Sequence, residues 1–313
     1  MTNQETTPIE LNPKRFLKTV SAVLVLGLLV VLSALVLSCT QQDVVSEKID
    51  VVVTILPQAE FVENVGGEMV DVTVMVPPGA SPHTYEPAPS QIAALARAKM
   101  YAKVGSGIDF ELVWMDKLVA ANKKMLVVDC SEGVSLQEMV GMHEVEGGHN
   151  HGALDPHIWM SPRNAEIMVR NICNGLVQVD PDNREYYEQN RDAYLDKLTE
   201  LDCDIRNGLA GIKNRSFMVY HPSFGYFARE YNLDMIPIEE GGKEPTAADI
   251  ANLIEYAKEH KIKVIFASPQ FNPQSARVIA DEIGGRVVFI DPLTRDYVTN
   301  LRRILGEMVQ VME

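Results

Sequence analysis

Cysteine is scarce in this sequence. Only four cysteines occur in 313 residues, and no two of them form a Cys-x-x-Cys pair. Apart from Cys39 near the N-terminus, they are Cys130, Cys173 and Cys203. An odd number without metal-ligand spacing argues against a zinc–cysteine site and against a full disulfide framework. We expect buried thiols, with one bridge between two of the three as the alternative in an oxidising compartment.

Basic residues are also few relative to acidic ones. Lys and Arg total 28 against 43 for Asp and Glu, which gives a net charge of −15. Binding to nucleic acid needs a basic surface, so this composition argues against a nucleic-acid partner. An acidic surface attracts cations at long range, but it also keeps any protein in solution. Charge alone therefore does not select a ligand.

Common catalytic motifs are absent as well. The sequence has no His-Glu-x-x-His motif, no Gly-x-Ser-x-Gly elbow and no Walker loop. A zinc hydrolase would also need an open coordination position for water and a general base beside it. We therefore expect a binding protein rather than an enzyme.

The first forty residues contain the longest apolar run. Three basic residues precede this run, which spans residues 20–37 and is followed by Ser38, Cys39 and a polar stretch. This layout is typical of an export signal. The cysteine at the junction resembles the lipobox of a bacterial-type lipoprotein, in which Cys39 would carry the lipid. The alternative is an uncleaved signal anchor, since the run is about long enough to span a bilayer. Either way, we expect the remainder at the extracytoplasmic face of the cell membrane.

Strand and helix patterns alternate through the rest of the chain. Short β-branched runs bounded by turn residues occur in two groups of four, at 50–55, 70–76, 100–104 and 125–128, and at 216–220, 234–238, 263–267 and 286–290. Helical patterns separate them, at 59–65, 90–98, 110–121, 224–231, 247–260 and 273–283, with a last one from 299 onward. This alternation indicates an α/β protein with parallel sheets. We predict two lobes, each a roughly four-stranded parallel sheet flanked by helices.

A long helical pattern lies between the two groups. Asp180 and Pro181 provide a helix start, and apolar or aromatic residues then recur close to the helical period up to Leu209. One helix of about thirty residues would span about 45 Å and would connect the lobes rigidly. The predicted organisation is a signal over 1–38, a tether over 39–48, an N-terminal lobe over 49–181, a linking helix over 182–213 and a C-terminal lobe over 214–313.

Three of the seven histidines share an unusual setting. His83, His157 and His221 each have a proline as an immediate neighbour. Proline restricts the backbone, so these loops are stiff. Each loop follows a predicted strand, and ligands of open α/β sheets bind beyond the carboxyl ends of strands. Asp291 also ends a predicted strand and precedes Pro292.

Three imidazoles and one carboxylate suit tetrahedral Zn²⁺, whereas Mg²⁺ and Ca²⁺ prefer oxygen ligands. By spacing alone, hydrogen-bonded loop histidines are the better interpretation, and the proline context shared at three strand ends makes a metal site an equally good one. The sequence around the histidines is more specific. It resembles the ligand motifs of metal-specific solute-binding proteins of ABC importers, the ZnuA/TroA family, at Pro82-His83-Thr84-Tyr85-Glu86-Pro87, Asp155-Pro156-His157-Ile158-Trp159 and His221-Pro222-Ser223-Phe224.

Leu56-Pro57 and Asp291-Pro292-Leu293 are similar to that family too, so the resemblance covers about residues 48–313. It implies that metal is held between the lobes by His83, His157 and His221. It also implies delivery to the transmembrane permease of an ABC importer, and we expect a monomer.

Histidine at the third position resembles zinc-type members, while manganese-type members commonly carry Glu there. We therefore predict Zn²⁺, with Mn²⁺ or Fe²⁺ as alternatives and a surface adhesin with a structural metal as another. For the fourth ligand we predict Asp291, with Glu239, Glu240, Glu86 or water as alternatives. Glu86, Asp155 and Glu239 are candidates to hold the second ring nitrogen of the ligating histidines.

A loop over residues 141–152 is rich in glycine and histidine. The resemblance implies a His-rich loop at this place, just before the second ligand. Its histidines, His143, His149 and His151, could gather metal as an auxiliary site. The alternative is a solvated loop without a role in metal binding.

Overall fold

The computed structural model describes residues 48–140, 154–239 and 241–312. The predicted signal with Cys39, nearly all of the tether, the His-rich loop with His143, His149 and His151, and Glu240 lie outside the described residues. Within the described part, no helix has both the length and the apolar character needed to cross a membrane.

The first sheet is built from β-branched runs at the four predicted places. Its strands are β1 (Ile49–Val53), β2 (Val70–Val74), β3 (Met100–Lys103) and β4 (Leu126–Asp129), all parallel in the order β2-β1-β3-β4. The helices α1 (Leu56–Gly66), α2 (Pro89–Leu95) and α3 (Asp109–Ala121) connect them. The connection after β1 leads to β2 and the connection after β3 leads to β4 on the opposite side, which opens a crevice between β1 and β3 at their carboxyl ends.

The second sheet repeats this arrangement. The strands β5 (Ser216–Val219), β6 (Asp234–Pro237), β7 (Val264–Ala267) and β8 (Arg286–Phe289) are parallel in the order β6-β5-β7-β8. In numerical order after α3, the remaining helices are α4 (Pro162–Val179), α5 (Arg184–Leu209), α6 (Gly225–Tyr231), α7 (Ala247–Glu259), α8 (Gln274–Glu282) and α9 (Tyr297–Met312). The prediction of two four-stranded parallel sheets flanked by helices is confirmed.

The helix α4 is an element that the sequence analysis missed. Its first residue, Pro162, suits the first turn, and the Ser161 hydroxyl accepts a hydrogen bond from the Asn164 amide. It buries the apolar face that contains Met168, Ile172 and Leu176. This face packs against α1 and α5, so α4 belongs to the core rather than to a loop.

The long helix is α5, with 26 residues and a length of about 39 Å. It is not a bare connector, because its apolar face joins a cluster of buried side chains that runs through the inner sides of both sheets. Leu198 and Ile205 of the helix share that cluster with Val53 of the first sheet and Phe217 of the second. The described residues from 48 onward form one compact unit, which contains both sheets. The predicted lobe boundaries remain a prediction.

Candidate metal centre

His83 lies in the loop after β2, where Pro82 and α3 hold its backbone. The Phe110 amide donates to the carbonyl oxygen of Pro82 at 3.0 Å. The Nδ1 atom of His83 lies 2.6 Å from Oδ2 of Asp109, the first residue of α3. The ring is therefore fixed by the turn between β3 and α3, and its side chain is 20% exposed.

His157 is more deeply buried and is held by Asp155. One oxygen of this carboxylate, Oδ1, accepts from the His157 amide at 3.0 Å and lies 2.8 Å from the ring Nδ1. The other oxygen accepts from Nε2 of Gln137 at 3.1 Å. Gly225 makes room for it, since a Cβ atom there would lie 2.2 Å from Oδ2 of Asp155. The pair is almost fully buried, with 3% of the His157 side chain and none of the Asp155 side chain exposed.

His221 lies just beyond the carboxyl end of β5, at the crevice of the second sheet. Its Nδ1 atom lies 3.3 Å from Oε1 of Glu239, which follows β6. The ring of Phe271 stacks on it with the centroids 4.4 Å apart. Both His221 and Glu239 are buried.

The three rings meet at their Nε2 atoms. The Nε2 atom of His221 lies 3.2 Å from that of His83 and 3.2 Å from that of His157. Two nitrogens bound at 2.0–2.1 Å to one tetrahedral ion would be about 3.3 Å apart, so this spacing fits a shared Zn²⁺. Each Nδ1 faces a carboxylate, which holds the proton on Nδ1 and leaves the Nε2 lone pair free to bind a metal.

Burial also favours the metal-binding form of two rings. It lowers the pKa of His83 below its ordinary value of 6.5, and nearby His221 lowers it further. Burial likewise lowers the pKa of His221. The carboxylates on Nδ1 act in the opposite direction, but burial has the larger effect. These two imidazoles are therefore neutral at pH 7, and a histidine must be neutral to ligate.

The predicted fourth ligand, Asp291, is engaged elsewhere. Its Oδ1 atom accepts from Nε2 of Gln270 at 2.9 Å and from the Leu293 amide at 2.9 Å. The three histidine nitrogens lie within 4.8 Å of one another, and no carboxylate of the described residues joins them at that distance. Of the alternatives, Glu239 contacts His221 instead, and Glu86 is exposed.

The carboxylate partner of His83 was not foreseen. Asp155 and Glu239 hold histidines as the sequence analysis suggested, whereas Asp109, not Glu86, contacts His83. The only sequence signal for Asp109 is its place at the start of a helix directly after a turn with Gly105 and Gly107. That signal places Asp109 at the carboxyl end of β3, but it does not identify its partner.

A cavity of about 900 Å³ opens beside the histidines. His83 and His221 line it together with three acidic side chains, Asp109, Glu239 and Glu244. Carboxylates around a cleft raise the local concentration of cations. The cavity is therefore an acidic cleft that opens onto His83 and His221.

Comparisons with known proteins place the chain beside zinc-uptake proteins. Residues 51–311 match the family model described as zinc-uptake complex component A periplasmic, ZnuA. The high-affinity zinc uptake system protein ZnuA of Bacillus subtilis (strain 168) is 33% identical over 263 residues, which cover 80% of each chain. A crystal structure of ZnuA superposes with a TM-score of 0.80 at 40% identity, covering 85% of this chain and all of that one.

A longer relative shares only part of its length with this chain. The zinc-binding lipoprotein AdcA of Streptococcus pneumoniae (strain ATCC BAA-255 / R6) is 32% identical over 264 residues, which cover 82% of this chain. The match spans 52% of AdcA, about half of its length.

Proposed function

Because the chain belongs to the ZnuA family of zinc-uptake components, we propose that it binds Zn²⁺ outside the cytoplasm and delivers it to an ABC importer. Its relatives named above are a zinc uptake protein and a zinc-binding lipoprotein. Family membership also identifies the chain as a substrate-binding component, and we propose that it has no catalytic activity.

One observation carries this proposal. The Nε2 atoms of the three histidines lie close together, and a carboxylate lies beside the Nδ1 atom of each ring. We propose His83, His157 and His221 as the protein ligands of the ion. Buried nitrogen ligands favour Zn²⁺ over Mn²⁺, because Mn²⁺ prefers oxygen ligands and binds a given site more weakly. His221, the third of these proposed ligands in chain order, would bind the ion through nitrogen, whereas a Glu at that place would bind it through oxygen.

The oligomeric state, the lobe boundaries, the membrane attachment and the role of the His-rich loop are also proposals. We propose a monomer with lobes over 49–181 and 214–313 that enclose the ion and are linked by the helix over 182–213. We propose attachment to the membrane through a lipid on Cys39 or through an uncleaved signal anchor. The His-rich loop over 141–152 would gather metal before it reaches the three histidines.

Metal analysis after competition tests the proposal. The purified chain is incubated with equal concentrations of Zn²⁺, Mn²⁺ and Fe²⁺, freed of unbound metal, and analysed by mass spectrometry. We expect about one zinc per chain with little manganese or iron, and loss of zinc in His157→Ala. His260→Ala is the matched control, because His260 is exposed and stacks on Tyr256 away from the site. Equal retention of manganese by the unmodified chain would contradict the proposal.

A further inference from the structure

The short turn that joins β3 to α3 contacts the surroundings of two different histidines. The Ser106 hydroxyl donates to the carbonyl oxygen of Pro156 at 2.5 Å, directly before His157. Asp109, the first residue of α3, has its Oδ2 atom 2.6 Å from Nδ1 of His83. The two histidines lie far apart in the chain, yet one turn supports both of them.

The backbone of this turn, residues 104–108, has a conformation that needs glycine. Gly105 and Gly107 have φ angles of 85° and 92°, in the left-handed region that residues with a side chain rarely adopt. Gly105 also lies against Asp129, because a Cβ atom there would lie 1.9 Å from Oδ1 of that residue. The course of the chain through the turn is therefore specified by its local sequence.

A buried carboxylate holds the start of the turn from inside. Glu111, the third residue of α3, accepts from the Val104 amide at 2.6 Å through Oε1 and from the Gly105 amide at 2.9 Å through Oε2. The Thr54 hydroxyl also donates to Oε1. A buried carboxylate is costly unless its oxygens are paired, and both oxygens of Glu111 are paired. Among the described residues, these hydrogen bonds go to the turn and to Thr54 rather than to a histidine.

The groups around Glu111 tie the turn to the first sheet. Thr54 follows β1, and its hydroxyl oxygen lies 3.0 Å from that of Tyr101 in β3. The Thr54 amide donates to Oε1 of Gln58 at 3.2 Å, and Nε2 of Gln58 donates to the Ala102 carbonyl oxygen at 3.0 Å. A binding site is held precisely when the groups around its ligands are fixed by rigid elements. This network fixes the turn to two neighbouring strands, β1 and β3.

We propose that Glu111 and Ser106 are positioning residues of the metal centre. Glu111 fixes the conformation of the turn. Through Asp109, the turn then holds the ring of His83, and through the Ser106 hydroxyl it holds the backbone before His157. The inference rests on the proposed function, because it presumes that both histidines bind the ion. It makes the two histidines interdependent, since a change in one turn displaces both.

His221 has a different support. Its carboxylate partner is Glu239, which follows β6, and the ring of Phe271 stacks on it. Neither contact involves the turn. A loosened turn therefore weakens two of the three proposed ligands, and we expect reduced rather than abolished zinc binding.

The alternative is that Glu111 and Ser106 serve only the stability of the fold. Buried hydrogen bonds contribute to stability wherever they lie. A purely structural role would lower the thermal midpoint of a variant and leave the zinc affinity of its folded form unchanged. Zinc affinity measured well below the midpoint therefore separates the two roles.

Two single variants test the two residues. Glu111→Gln keeps the size of the side chain but replaces one acceptor oxygen with an NH₂ group, and Ser106→Ala removes the hydroxyl donor. We expect each to lower zinc affinity about tenfold, measured by competition with a chelator. Glu255→Gln and Ser90→Ala are matched controls, because both residues are exposed, on α7 and α2. Unchanged affinity in Glu111→Gln or in Ser106→Ala would overturn the inference.

Thr54 offers a conservative pair of variants. Thr54→Val removes the hydroxyl that donates to Glu111, whereas Thr54→Ser keeps it. We expect weaker zinc binding in Thr54→Val and recovery of the affinity in Thr54→Ser. Equal affinities in these two variants would contradict the role of Glu111.

Combination with Asp109→Asn tests whether Glu111 acts through the turn. If it does, part of the contribution of Asp109 is already lost in Glu111→Gln. We expect the combined variant to lose less affinity than the product of the two single losses, whereas independent residues give the full product. A combined loss equal to that product would refute the proposed route.

The thermal midpoint of each variant, measured without metal, sets the temperature of the comparison, so that unfolded chain is not counted as lost binding. If the unmodified chain binds no zinc, or if His157→Ala binds it as tightly, the proposed function itself fails. If both results are as expected but Glu111→Gln and Ser106→Ala bind zinc like the unmodified chain, only the positioning role fails.

Discussion

The Nε2 atoms of His157 and His221 lie 3.2 Å apart, although the two residues are 64 positions apart in the chain. Their rings meet nearly edge to face, with an angle of 77° between the planes. His157 lies in the segment before α4, and His221 lies just after the end of β5. Carboxylates lie at both Nδ1 atoms and hold the ring protons there, so the two Nε2 lone pairs face each other and a cation bound by both would relieve their repulsion.

Replacing His221 tests the choice of metal. His221→Glu exchanges a nitrogen ligand for an oxygen ligand, which suits Mn²⁺ better. We expect zinc affinity to fall and the ratio of bound manganese to bound zinc to rise in the competition assay. A variant that keeps the zinc preference of the unmodified chain would show that His221 does not determine it.

Removing the carboxylate that lies beside Nδ1 of His83 tests whether this contact supports metal binding. Asp109→Asn weakens the hold on Nδ1 of His83, and we expect a 10- to 100-fold loss of zinc affinity, an order-of-magnitude expectation for such contacts. Asp116→Asn removes an exposed carboxylate from the same helix and is the matched control. Titration of both variants against a zinc chelator checks the difference. Equal affinities would mean that Asp109 does not tune the site.

The strands were predictable because their signal is local. All eight β-branched runs form strands, and the boundaries differ by only one or two residues. The helix α4 was missed although Ser161 and Pro162 mark its start and its apolar residues recur at helical spacing. That signal is local and directly follows the histidine motif at His157, so this helix was predictable from the sequence.

The site was predictable only in part, because its contacts are not local. The proline context and family motifs identified His83, His157 and His221. The contact between His83 and Asp109 depends on how the β3–α3 turn approaches the β2 loop. The engagement of Asp291 by Gln270 depends on neighbouring strands of the second sheet. Such pairings arise from the assembled fold and have no signature in sequence spacing.

Acid should release the metal. Burial lowers the pKa of His83 and His221 below 6.5, so both rings stay neutral above that pH and gain protons only below it. Protonated imidazole cannot ligate, and zinc affinity should therefore be nearly constant above pH 6.5 and fall steeply at lower pH. Chelator competition at a series of pH values checks this. A decline that is already complete above pH 6.5 would contradict it.

The close approach of Gly225 to Asp155 gives a stability prediction. In Gly225→Ala the new methyl would meet Oδ2 of Asp155, so the carboxylate must move away from His157. We expect a loss of about 1–3 kcal/mol in the free energy of unfolding, together with weaker zinc binding. Gly211→Ala is the control, because a methyl there meets nothing within 4 Å. Denaturant unfolding and zinc titration measure the two effects.

The position of bound zinc tests the central claim most directly. Crystals of the zinc-loaded chain, measured on both sides of the zinc absorption edge, locate the ion without assumptions about its ligands. We expect one strong anomalous peak at about 2.0–2.1 Å from the Nε2 atoms of His83, His157 and His221. A principal peak elsewhere, or one that misses any of the three nitrogens, would contradict the account.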